Sequence, residues 1–195
     1  TVGTCIVSPL ILQYKKDYPD IKINVVIENT HEIEAHLLDG ELDLALVEGV
    51  ISNPDIIYRP VMEDTLVLIT SPQSALACKS SITYEELSRL PIIMREKGSG
   101  TRESFERGME ERGCSVNCVW TSHNTEAIKN AVIAGHGVSV ISQRLVQKEI
   151  ETGTLATCTI EGFNNRRVFA ITYHKDKFLF SYYKDLIGLC SSFGV

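Results

Sequence analysis

Apolar and polar positions along this chain switch repeatedly between the three-to-four spacing of a helix and the alternation of a strand. From Thr1 to about Tyr18, the residues Ile6, Leu10, Ile11 and Tyr14 recur at helical spacing, and Pro19 closes the run. Ile21, Ile23, Val25 and Ile27 then alternate with Lys22, Asn24 and Val26, which predicts a strand with at least one buried face. Glu28-Asn29-Thr30-His31-Glu32 opens the next helix, with Asn29 and Glu32 spaced as a capping box and Asp39-Gly40 at its end. A short apolar run from Leu42 to Val47 follows and stops at Glu48-Gly49. Strand, helix and strand in such close succession predict a crossover unit with parallel strands, whose carboxyl edge carries Thr30 and Glu48.

Two apolar runs surround Glu63-Asp64 between Ile56 and Ser71. Thr83 to Leu87 reads as a short capped helix, Pro91 to Met94 as a strand, and about Thr101 to Arg112 as a helix with Gly113 at its stop. Val116 to Thr121 is a strand, and Ser122-His123-Asn124-Thr125-Glu126 opens a helix that runs into Ala134 and stops at Gly135-His136-Gly137. The remaining elements are a strand at Val138 to Ile141, a helix from Ser142 to about Thr152, strands at Leu155 to Ile160 and Arg167 to Tyr173, and an amphipathic helix from Phe178 to Phe193. The pattern is α/β throughout, with no solenoid repeat and no low-complexity tract.

The segment richest in chemistry is Arg95-Glu96-Lys97-Gly98-Ser99-Gly100-Thr101-Arg102-Glu103, placed between an apolar strand and an amphipathic helix. At a helix start the first N–H groups lack intrahelical partners and the dipole adds partial positive charge, so a small anion or carboxylate is stabilised there. Glycines admit close approach of the ligand, and Ser and Thr hydroxyls add donors without bulk. A serine there is also an ordinary N-cap, and the stretch lacks the Lys-Ser/Thr ending of a nucleotide-binding loop.

Composition narrows the function. The chain has 195 residues, 44% hydrophobic and 23% charged, enough for one large globular domain or two small ones. No stretch is apolar and long enough to span a membrane. A net charge of −6 argues against this chain gripping a phosphate backbone on its own; the pairs Lys15-Lys16 and Arg166-Arg167 read as solvated edges. Six dispersed cysteines without a Cys-x-x-Cys point to reduced, cytosolic thiols and not to a disulfide scaffold or a zinc site. The chain opens at Thr1 with neither Met nor a basic-then-apolar leader, which leads us to expect that something upstream has been removed.

Other chemistry finds no support. His31 and His36 are five residues apart, so on one helix their rings point about 140° apart and cannot share a metal. Gly135-His136-Gly137 precedes a strand and lacks the third glycine of a dinucleotide fingerprint. No nucleophile elbow is present and no Cys–His pairing is recognisable, so we assign no catalytic residue, no metal ligand and no cofactor.

Four segments occur in an order that is specific to one family: Thr1-Val2-Gly3-Thr4 leading to Tyr18-Pro19-Asp20; Asp39 to Gly49; Arg95 to Arg102; and Thr125 to Lys129 with Ala134 to Val138. Over essentially its whole length the chain resembles the effector-binding domain of bacterial LysR-type transcriptional regulators. The Gly-Ser-Gly-Thr-Arg form is most similar to the branch that includes regulators of sulfur assimilation and carbon fixation. The resemblance implies a type 2 periplasmic-binding-protein-like fold, with two Rossmann-like α/β lobes joined by two crossover strands near Thr70-Pro72 and Ala170-Thr172. Lobe I would comprise residues 1–70 and 172–195, and lobe II residues 73–170.

It further implies that a small anionic metabolite or oxyanion lies in the interlobe cleft against Thr1, Thr30, Ser99, Gly100, Thr101, Asn124 and Thr125, while Arg102 either neutralises the ligand or pairs with a carboxylate. The expected assembly is an antiparallel side-by-side homodimer in the cytoplasm, with a tetramer open to the full-length protein. DNA would be met only through a winged helix-turn-helix that is absent from this chain. A strand that precedes Thr1 in the family is absent as well. The rival readings are an exported solute-binding protein of a transporter and an enzyme on the same fold.

Overall fold

In the computed structural model, residues 1–193 are described; Gly194 and Val195, included in the expected lobe I, lie outside them. The helices are α1 (Val2–Cys5), α2 (Val7–Asp17), α3 (Thr30–Leu38), α4 (Tyr84–Ser88), α5 (Gly100–Glu110), α6 (Thr125–Ile133), α7 (Gln147–Glu151) and α8 (Ser181–Ser192). The strands are β1 (Ala45–Val47), β2 (Ile56–Thr70), β3 (Ser81–Ile82), β4 (Ile92–Arg95), β5 (Cys118–Ser122), β6 (Ser139–Ser142), β7 (Ala156–Ile160) and β8 (Arg166–His174). The chain divides into two compact units, Thr1–Asp64 with Arg167–Val195, and Thr65–Arg166. β2 therefore carries the chain from the first unit into the second, and the step from Arg166 to Arg167 in β8 brings it back.

In the first unit β1 runs antiparallel to β8, with Leu46 opposite Ile171, and β8 lies between β1 and β2. Its core gathers Leu37, Val47, Ala170, Ile171 and Tyr173 with Leu10 and Ile187 from helices α2 and α8. The expected first helix is interrupted at Ile6. Pro9 accounts for the break: it has no N–H for the Cys5 carbonyl, and its ring crowds that carbonyl.

The strand expected at Ile21 to Ile27 does not form, so the parallel crossover unit built on it is absent among the described residues. Alternation sorts side chains to two faces, but a strand also needs a neighbour for its backbone hydrogen bonds, and among the described residues this segment has none. Val25, Val26 and Ile27 are accordingly exposed at 48%, 45% and 65%.

In the second unit β2 is flanked by β6 and β7, both antiparallel, with Leu68 opposite Val140 and Cys158; β3 adds parallel to β7. β4 and β5 form a parallel pair in which Arg95 faces Ser122. A single bridge, Ile92 to Val138, ties β4 to the approach of β6. The backbones meet closely enough there that only glycine fits at 137, since a Cβ would stand 2.4 Å from the Pro91 carbonyl oxygen. Phe105, Met109, Ile92 and Tyr84 fill one core, and Ile69, Ile93, Ile128 and Val132 fill another.

The short helix α4 has a complete capping box, Thr83 with Glu86. At the end of α6, Gly135 at φ +82° lets its N–H reach the Val132 carbonyl while the His136 N–H reaches Ala131, closing a Schellman motif. Gly135-His136-Gly137 is thus a helix stop and a close backbone approach. The helix expected from Ser142 to Thr152 splits into a 3₁₀ turn at Gln143–Leu145 and α7. No helix among the described residues is long and apolar enough to cross a membrane.

Candidate functional site

In the second unit, parallel pairing of β4 with β5 sends both strands toward the same edge, where each turns into a helix. Gly98 at φ +83° makes the turn after β4, and α5 begins at Gly100 with Ser99 in the N-cap position. The junction after β5 delivers Asn124 and Thr125 to the start of α6. The structure therefore brings Ser99, Gly100, Thr101, Asn124 and Thr125 to one edge of one parallel pair.

The two junctions differ chemically. Asn124 is a working cap, its Oδ1 accepting from the N–H groups of Glu126 at 2.9 Å and Ala127 at 3.2 Å. Ser99 is only 3% exposed, yet its hydroxyl makes no capping hydrogen bond. Its carbonyl accepts from the Glu103 N–H at 3.0 Å, so the backbone has committed to the helix and the hydroxyl has not. Thr101 is buried beside it.

The nearby arginines are engaged with carboxylates. Arg95 grips Glu96 through two parallel bonds of 2.8 and 2.9 Å. Burial pushes the Glu96 carboxyl up, but the Arg95 fork outweighs it and holds the group below the usual carboxylate range. Arg102 donates to Glu106 at 2.9 Å and to the Arg95 carbonyl at 3.1 Å, so the expected pairing with a carboxylate is present. With these cations matched, the α5 N-terminus adds positive potential at the junction.

In the first unit, Thr1 precedes α1 and its side chain is buried. Glu48, immediately after β1, caps α1 from a distance: its Oε1 accepts from the Val2 N–H at 2.7 Å and from the Thr1 backbone nitrogen. Arg167 donates to Glu48 Oε2 at 3.0 Å, to Asp64 Oδ2 at 2.7 Å and to the Thr1 hydroxyl at 3.2 Å, and it lies over the Phe169 ring. Burial pushes the Glu48 carboxyl up, but the charge on Arg167 and the hydrogen bond from the Val2 N–H hold it below the usual carboxylate range.

Arg167 is thus no solvated edge; its side chain is 7% exposed at the heart of an ion network. Sequence reasoning missed Asp64 and Arg167, each of which stands beside a like-charged neighbour, Glu63 or Arg166, in its strand. Thr30 is buried as the first residue of α3, which Asn29 caps by accepting from the Glu32 N–H at 3.1 Å. Gly3 packs against the Ile27 side chain, so the junctions at Thr1 and Thr30 are neighbours in this unit. His36 sits between Glu28 at 2.9 Å and Glu41 at 2.5 Å, and these bonds raise its pKa. Among the described residues no three His, Cys, Asp or Glu side chains gather as metal ligands.

The fold is that of type 2 periplasmic-binding-protein-like domains. The regulatory domain of CcmR from Synechocystis PCC6803, solved in complex with 2-PG, superposes with a TM-score of 0.89 at 27% identity, over 98% of this chain and 92% of that one. The sequence model described as LysR substrate binding domain matches residues 1–193, and the chain belongs to that family. It is 31% identical over 190 residues to the Uncharacterized HTH-type transcriptional regulator YeiE of Escherichia coli K12, covering 97% of this chain and 64% of that protein. It is 36% identical over 177 residues to the HTH-type transcriptional activator CmpR of Synechocystis PCC 6803, covering 91% of this chain and 58% of that protein. The chain thus spans about three-fifths of the length of these relatives.

Proposed function

We propose that this chain is the sensing part of a LysR-type transcription regulator, that it binds a small anionic metabolite or oxyanion, and that it does no chemistry on it. The observation that carries the reading is Ser99: a residue 3% exposed, in the N-cap position of an eleven-residue helix, whose hydroxyl does not cap it. The helix N-terminus there is left to other acceptors, and an anion's oxygen is a natural one. Gly100 and Thr101 complete the cradle, and Thr1, Thr30, Asn124 and Thr125 are further contacts. The Thr1 hydroxyl accepts from Arg167 and so presents its own O–H as a donor, which suits an oxyanion or carboxylate.

The reading is supported by family membership, by relatives named as transcriptional regulators, and by a structural neighbour solved in complex with 2-PG. These favour a regulator over the exported solute-binding protein. A ligand that binds one arrangement of the units better than another shifts their populations, which is how binding would reach the DNA-binding part of the full protein. We expect that protein to work in the cytoplasm as an antiparallel homodimer, or as a tetramer.

Thermal unfolding with sulfate, sulfite, thiosulfate, phosphate, 2-PG and small carboxylates tests the reading. A ligand at about 100-fold above its Kd adds about 2.7 kcal/mol of stability. If none of these anions stabilises the protein, the anion-sensor reading is overturned.

A further inference from the structure

The division of the chain falls between Asp64 and Thr65 on one crossing and between Arg166 and Arg167 on the other. Asp64 and Arg167 are therefore the last and first residues of the first unit at its two exits. They are bonded to each other at 2.7 Å, with side-chain exposures of 0% and 7%. The same guanidinium reaches the Thr1 hydroxyl at 3.2 Å and Glu48 Oε2 at 3.0 Å. One planar fork thus spans both chain exits and a residue proposed above to touch the ligand.

We infer that Arg167 is a positioning residue that couples the Thr1 junction to the two crossing points. The inference rests on the sensor reading for its use, since coupling matters when Thr1 meets a ligand. Its geometric basis is separate. A guanidinium has five donors in a fixed plane, so shifting one partner re-aims the bonds to the others, whereas an ammonium on a flexible stem can follow one partner and leave the rest. A ligand oxygen that draws on the Thr1 hydroxyl changes what that oxygen offers Arg167. The change passes through the fork to Asp64 on β2 and to the backbone of β8. Burial keeps water from substituting for any one bond, so the network responds as a unit.

A double-mutant cycle on the ligand-free protein tests this. Thr1→Val removes the hydroxyl and Asp64→Asn removes the charge. With Arg167 present their effects on the unfolding equilibrium should depart from additivity by about threefold or more, as residues in one network do. In an Arg167→Lys background, which keeps the charge but not the fork, the two effects should become additive. Additivity with Arg167 present, or equal coupling with Lys, overturns the proposal. Should Arg167→Lys fail to fold, hydrogen exchange of Thr1→Val decides. Exchange at the amides of residues 63–66 and 165–168 should quicken about threefold or more relative to amides elsewhere in β8, and an unchanged pattern overturns the proposal. Because no ligand is present, a negative anion screen leaves the coupling standing, and an additive cycle leaves the sensor reading standing.

Discussion

Arg167 and Asp64, 103 residues apart in sequence, form a buried ion pair at 2.7 Å where the two strands linking the units leave the first of them. Two charges inside apolar strands are costly unless matched, because each must be stripped of water. Here the matching is multiple: Asp64, Glu48 and Thr1 all receive hydrogen bonds from the one guanidinium. The pair thus fixes where β2 and β8 stand against the start of α1, which bears directly on how the Thr1 junction is held.

Removing one member should be far worse than removing the group. Arg167→Met withdraws the guanidinium from Asp64 and Glu48 and should cost about 3–5 kcal/mol in urea unfolding. Adding Asp64→Leu and Glu48→Gln to Arg167→Met should recover a large part of that loss. Equal destabilisation of the single and the triple variant would show that the charges are not what the site depends on.

Glu48 makes stability depend on acid. Its folded pKa lies below the ordinary 4.5, so the unfolded chain binds its proton first as pH falls. The stabilisation is complete above about pH 4.5 and is lost progressively as pH falls through the lowered folded pKa. Denaturant midpoints measured across that window should fall more steeply for the wild type than for Glu48→Gln. Parallel curves would remove Glu48 from the network.

Much of this was legible in the order of residues, and the reasons differ by element. α4 was readable from Thr83 and Glu86 alone because a capping box is a local device that completes itself within four residues. The junction at Ser99 was readable because glycine, hydroxyls and an amphipathic helix follow one another directly. Ile21 to Ile27 misled because alternation reports which faces can be buried but not whether a neighbouring strand exists. Arg167 misled for a similar reason: its partners Glu48 and Asp64 are 119 and 103 residues away, and nothing adjacent in sequence announces them.

Ser99 and Thr83 occupy the same position at two helix starts and should respond in opposite ways. Thr83→Ala removes the hydroxyl that accepts from the Glu86 N–H and should cost about 1 kcal/mol, with no effect on anion binding. Ser99→Ala removes a hydroxyl that caps nothing, so stability without ligand should change by less than about 0.5 kcal/mol. The thermal shift produced by an anion found in the screen should nevertheless fall, and Thr101→Trp should abolish it while leaving the protein folded. A large loss of ligand-free stability in Ser99→Ala would mark that serine as structural.

Gly137 gives a backbone test that is independent of ligand. A methyl group there would stand 2.4 Å from the Pro91 carbonyl oxygen, which itself accepts from the Val138 N–H at 3.0 Å. The clash is with main chain, so no rotamer change relieves it, and β4 must move away from the start of β6. Gly137→Ala should therefore cost about 1–3 kcal/mol, an overpacking penalty. By the same geometry, exchange of the Ile93 N–H, which donates to the Val138 carbonyl at 2.8 Å, should accelerate more than that of amides in β7. Uniform acceleration across the second unit would mean that the loss is global and that the close approach is not its cause.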